Sequence, residues 1–238
     1  MPPWCRRIER RSTGYSPTQH SHRVSVPFVS VFVVHERRQE GKNDEVTFHA
    51  LPACAAWRHQ GLREGFESVF LRSEETGYRF DGTTAAIENG QVWAVRYSIA
   101  LDERWITTSA QVWSWSASGE REIRLESDGL GHWKLDGSRV PDVDGCLDVD
   151  LESSAFTNSF PVHRVKAAVG QSFAAPAVYI RALDLHVERL EQSYMRIDDD
   201  DGRRRYNYQS PEFGFECRLV YDASGLVVDY PSIATRVQ

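Results

Sequence analysis

The stretch VWAVRYSIAL (92–101) constrains the fold more than any other, because Trp93, Val95, Tyr97, Ile99 and Leu101 occupy every second position. Side chains of a strand alternate between its faces, so this spacing buries one face and leaves Arg96 and Ser98 on the other. WITTSAQVWSW (105–115) follows after Asp102-Glu103-Arg104, and the pair reads as an antiparallel hairpin. Both faces of the second strand are partly apolar, with Ile106, Ala110 and Val112 on one and Trp105, Trp113 and Trp115 on the other. Water does not reward the exposure of three indoles, so this strand is expected between two layers or beside a cavity.

The same alternation recurs along the chain. Strands are expected at Phe66–Leu71, Tyr78–Asp81, Glu122–Glu126, His132–Asp136, Cys146–Leu151, Val178–Leu183, Tyr206–Gln209, Phe213–Tyr221 and Leu226–Tyr230. Between them stand Asp81-Gly82, Asn89-Gly90, Asp128-Gly129, Asp136-Gly137, Asp144-Gly145, Asp201-Gly202 and Ser224-Gly225, each pairing a residue that tolerates positive φ with a glycine. These are read as turns. Leu183–Met195 fits a helix starting at Asp184 and strand parity equally well. The expected fold is mainly β, a long antiparallel meander with few helices.

Charge divides the chain. Residues 1–48 carry eight Lys/Arg against five Asp/Glu, so of the overall −6 the remainder, residues 49–238, holds −9. Residues 1–48 are expected to be a poorly ordered basic leader or the product of an over-early translation start, in which Val24–Val34 has the composition of an edge strand. That stretch is far short of the roughly 20 apolar residues that span a bilayer, so integral membrane association is not expected. An acidic domain repels phosphate backbones, which argues against nucleic acid. Cys5, Cys54, Cys146 and Cys217 are isolated from one another and from histidine, which suits buried thiols in the cytoplasm rather than a disulfide framework or a metal site.

Few residues suggest catalysis. In PDVDGCLDVDL (141–151), Asp148 and Asp150 share one face of a strand about 7 Å apart, a separation that permits an acid/base pair, although aligned aspartates on a surface strand are the default in an acidic domain. Nucleophile, nucleotide and zinc-protease motifs do not occur, so no catalytic residue, cofactor or metal is assigned. What remains is an aromatic surplus on strands with scattered polar groups, among them Arg58, Arg96, Asn158 and Arg164.

The segment DVDGCLDVDLESSAFTNSFPVHRV (142–165) resembles the signature of the bacterial putative glycolipid-binding domain family, D-G-C-x-D-V-D-L followed by T-N-T-x-P-I-R-R. AAWRHQGLREGFE (55–67) is similar to that family's opening W-R-H-x-G-L-E, and GLVVDYPSIATRV (225–237) to its closing D-Y-P-G-L-x-x-R-V. Ser159 stands where the family often has Thr, and His163 where it has Arg, so only Arg164 keeps the charge of that pair. The resemblance implies a curved, wrapped antiparallel sheet, a spiral β-roll or open barrel like those of bacterial lipoprotein carriers. On that basis residues 49–238 are expected to bind a lipid or glycolipid non-enzymatically in an apolar cavity. Trp93, Tyr97 and Trp113 are its expected walls, and Arg58, Asp148, Asp150, Asn158 and Arg164 its polar contacts. The alternatives are a carbohydrate- or lipid-active hydrolase using Asp148 and Asp150, and a protein-interaction module.

Overall fold

The computed structural model describes residues 47–237. The expected leader, with its candidate edge strand Val24–Val34, lies outside the described residues apart from Thr47 and Phe48. Phe48 belongs to the folded part: its ring centre is 4.2 Å from that of His163 and 4.2 Å from the Arg204 guanidinium.

The first half is a meander of β1 (Cys54–His59), β2 (Arg63–Glu74), β3 (Gly77–Glu88), β4 (Gln91–Leu101), β5 (Thr107–Ser116), β6 (Gly119–Ser127), β7 (Trp133–Leu135) and β8 (Ser138–Arg139). After β9 (Asp148–Leu151) comes the helix α1 (Ser159–Val165). Next are β10 (Ser172–Ala174), β11 (Ala177–Ile180), β12 (Val187–Leu190), β13 (Ser193–Asp200), β14 (Arg203–Ser210), β15 (Phe215–Tyr221), β16 (Val227–Tyr230) and β17 (Ala234–Val237). Fourteen of these strands form one antiparallel sheet in the order β10-β13-β14-β15-β16-β17-β1-β2-β3-β4-β5-β6-β7-β8. It is curved and unclosed, and its two halves meet where β1 pairs with β17. A smaller sheet, β12-β11-β9, contains a parallel pair, β11 with β9.

The alternation read from the sequence sets the inner face. Trp93, Val95, Tyr97, Ile99 and Leu101 are all buried, as are Ala110 and Val112 across the β4–β5 hairpin. Two expectations about turns are corrected. Asp81-Gly82 is mid-strand in β3, where Gly82 faces Tyr97 of β4. A Cβ there would lie 2.1 Å from the Tyr97 Cζ, so the glycine makes room for a ring and does not reverse the chain. Trp105 is not on the second strand: it occupies the β4–β5 turn at φ 65°, and its ring lies flat on His163, centre to centre 3.6 Å. Leu183–Met195 resolves as β12 and the start of β13 and forms no helix.

The space enclosed by the large sheet is filled from within. Phe156 packs edge-on to Phe80 at 4.9 Å and Phe160 stacks on it at 5.8 Å, while Phe160 in turn meets Trp105 at 6.4 Å. Burying each such ring contributes about 1.5–3 kcal/mol. A second aromatic cluster, Tyr194, Tyr206, Tyr208, Tyr221 and Phe173, occupies the other half of the interior with ring centres 5.1–6.5 Å apart.

Candidate functional site

Where the small sheet meets β14–β16, a cleft of about 40 Å³ opens. Its floor comes from β9 and the segment after it, which supply Asp150, Glu152, Ser154 and Asn158; its walls are aromatic, with Tyr179 of β11, Tyr208 of β14 and Tyr230 of β16. Pockets that enclose drug-sized ligands measure several hundred Å³. This cleft takes a few polar atoms and not a hydrocarbon tail.

Asp150 is the chemically distinctive residue of the cleft. Strand β9 is buried at all four positions, so its two aspartates, on one face by parity, are both taken out of water. Burial pushes the Asp150 carboxyl up to about 7 against the one hydrogen bond it accepts among the described residues, from the Thr157 hydroxyl at 2.8 Å, and the nearby charges of Asp148 and Glu67 push the same way. A carboxyl accepting one hydrogen bond keeps most of its capacity to accept others, and when protonated it donates as well.

Asp148 is already engaged. Arg164 of α1 grips both carboxylate oxygens, with Nε 3.4 Å from Oδ1 and Nη2 close on Oδ2. Desolvation raises this carboxyl and the guanidinium counteracts it. Asn158 is fixed too: its side-chain oxygen accepts from the Tyr194 hydroxyl at 2.9 Å and its carbonyl from Tyr221 at 3.1 Å.

The structure brings Asp150 and Asn158 together in the cleft and puts Asp148 and Arg164 in a buried pair nearby. It does not bring the expected wall residues there. Trp93 is in the core under the Arg63 guanidinium, 5.4 Å from its ring centre. Tyr97, fully buried, donates to Glu67 at 2.7 Å. Trp113 and Arg58 are on the opposite, outer face, where Trp113 underlies Arg96 and Phe66 underlies Arg58. The parity of Trp113 with Trp115 already separated it from Val112, and that parity decides its face.

Several residues of the cleft carried no local sequence signal. Arg63 donates to the Glu152 carbonyl at 2.7 Å and pairs with Glu88 at 3.5 Å, which ties β2 to the cleft's rim. Glu67, buried on the same strand, accepts from Tyr97, from the Ser154 hydroxyl and from the Ala155 N–H at 2.8 Å, and thereby locks the segment after β9 onto the sheet. Burial raises its carboxyl despite these donors. His59, beside it, is held down to about 4 by burial and the charge of Arg63 and is neutral at pH 7. A Glu facing inward on an otherwise alternating strand was the one available clue to this network.

The family model described as putative glycolipid-binding matches residues 54–236. The structure is similar to the crystal structure of a DUF1089 family protein from Pseudomonas aeruginosa, with a TM-score of 0.65 and 33% identity, covering 80% of this chain and 98% of that one. It is also similar to a beta-barrel-like protein of the domain of unknown function DUF1849 from Brucella abortus, with a TM-score of 0.46 and 12% identity, covering 80% of this chain and 96% of that one. No curated protein matches the sequence.

Proposed function

The chain belongs to the putative glycolipid-binding family, and from that premise we propose that it binds, without catalysis, the hydroxyl-rich head group of a lipid or glycolipid in the cleft around Asp150. The observation that carries this reading is a buried carboxyl with one hydrogen-bond donor at the floor of a tyrosine-walled cleft. Sugar hydroxyls both donate and accept, and tyrosine rings offer flat apolar faces beside their own hydroxyls. Recognition rests on the head group, because Phe156 and Phe160 occupy the interior that a tail would need. The engagement of Asp148 by Arg164 weighs against the paired-carboxylate hydrolase. The free thiols of Cys54, Cys146 and Cys217 support a cytoplasmic location.

Four hydroxyl contacts at about 1 kcal/mol each give roughly 4 kcal/mol, so a free sugar binds in the millimolar range. The test is an amide NMR titration with a panel of octyl hexosides below micelle formation, with octanol as the control. Hexosides should shift the resonances of Asp150, Asn158 and Tyr208, and Asp150→Leu should abolish the shifts. Shifts at these residues with octanol alone, or none with any hexoside, would refute the assignment.

A further inference from the structure

The outer face of β1–β6 carries a row of side chains that neither the cleft nor the core uses. Across the strands the register aligns Arg58, Phe66, Ala85, Ala94, Trp115 and Glu120 as successive neighbours. Phe66 is 55% exposed and Trp115 38%, and beside the row Ile87 and Val92 are 53% and 68% exposed. Such a contiguous apolar patch on a folded surface marks an interaction site.

The order of the row identifies the partner. It reads cation, aromatic, small, small, aromatic, anion, so it is symmetric in size and antisymmetric in charge. Arg58 stacks on the Phe66 ring, and neither Arg58 nor Glu120 forms an ion pair with any described residue. A two-fold axis parallel to the strands, lying over the midpoint between Ala85 and Ala94, turns one sheet onto the other and exchanges the ends of the row. It then sets Arg58 of one copy against Glu120 of the other, twice, and Phe66 against Trp115. Charges that match under a two-fold operation are what an isologous interface requires. The face mixes Glu64, Glu120 and Glu122 with Arg58, Arg96 and Arg124, so it offers an anionic membrane no cationic surface, whereas the opposite charges at the two ends of the row suit a second copy.

We propose that this chain self-associates through the outer face of β1–β6, as a two-fold pair stacked sheet against sheet with Arg58 facing Glu120. At about 4.8 Å per strand the row is only ~24 Å long, which makes a small interface and a micromolar dimer.

Sedimentation velocity of the full chain from 1 to 500 µM tests it. The expected result is a monomer–dimer equilibrium that Arg58→Glu and Glu120→Arg each weaken about tenfold or more, because each reversal creates two like-charge contacts. An equimolar mixture of the two variants should recover the affinity, since every cross pair is again opposite in sign. That recovery also excludes misfolding as the cause of the single losses. A monomer at every concentration, single variants that dimerise as the parent does, or no recovery on mixing would overturn the proposal. So would a monomer that instead co-sediments with phosphatidylglycerol vesicles.

Discussion

Replacing Gly82 by alanine tests whether the inner face is as tightly keyed as the register indicates. Gly82 has ordinary extended dihedrals, and glycine within a strand is less stable than alanine by about 0.5–1 kcal/mol, so local preference predicts a gain. The Tyr97 ring predicts the reverse. The added Cβ would meet its Cζ at 2.1 Å, its hydroxyl oxygen at 2.3 Å and its Cε2 at 2.5 Å. Tyr97 must move, and its hydrogen bond to Glu67 breaks with it. Overpacking costs about 1–3 kcal/mol and the lost hydrogen bond about 1–3 kcal/mol, so after the local gain Gly82→Ala should destabilise by about 1–5 kcal/mol. In a Tyr97→Leu background the three atoms nearest the new methyl are gone, and the same substitution should stabilise by about 0.5–1 kcal/mol. Urea unfolding of the four proteins closes the double-mutant cycle. The same sign in both backgrounds, or a loss under 1 kcal/mol in the parent, would refute the reasoning.

Two further outcomes follow from the buried charges. Arg164→Met should destabilise by about 3–5 kcal/mol because it strands the Asp148 carboxylate, and adding Asp148→Asn should restore most of the loss in urea melts; a double variant as weak as the single would reject the pairing. Asp150, raised from 3.8 to about 7, favours the protonated fold, so the parent should lose stability as the pH climbs from about 4 to 7, by at most about 4 kcal/mol. Asp150→Asn should lack that fall and exceed the parent at pH 8; equal pH profiles would show that Asp150 titrates normally.

Much of the sheet was legible because alternation reports burial directly. Val92–Leu101 and Phe215–Tyr221 give their inner faces residue by residue, although Phe213, expected to start the second of these strands, lies in a 3-10 turn before it, and Asn89-Gly90 turns the chain where its positive φ values require. Asp81-Gly82 misled because glycine answers to two needs, a reversal or a close approach, and only the partner strand tells which. The helix Ser159–Val165 is about two turns long and buried on nearly every side, so it shows no amphipathic period. Of the site, Asp150 and Asn158 were found on their residue types and on the family resemblance. Arg63 and Glu67 were not, because their roles arise where β2 passes under a segment some ninety positions later in the chain, a proximity no local pattern encodes.

The pairing of β1 with β17 has a consequence for how the molecule is made. Every other neighbour in the long sheet joins strands from the same half of the chain, so each half is assembled from contacts it already holds as it leaves the ribosome. The seam is stitched only when residues 234–237 emerge, the last part of the described chain to be synthesised. Until then Trp57 lacks the Val227 carbonyl that receives its indole N–H, and two unfinished edges face the solvent. Closure of the seam therefore waits on β17, and until that strand emerges two half-shells remain with the greasy side of each uncovered.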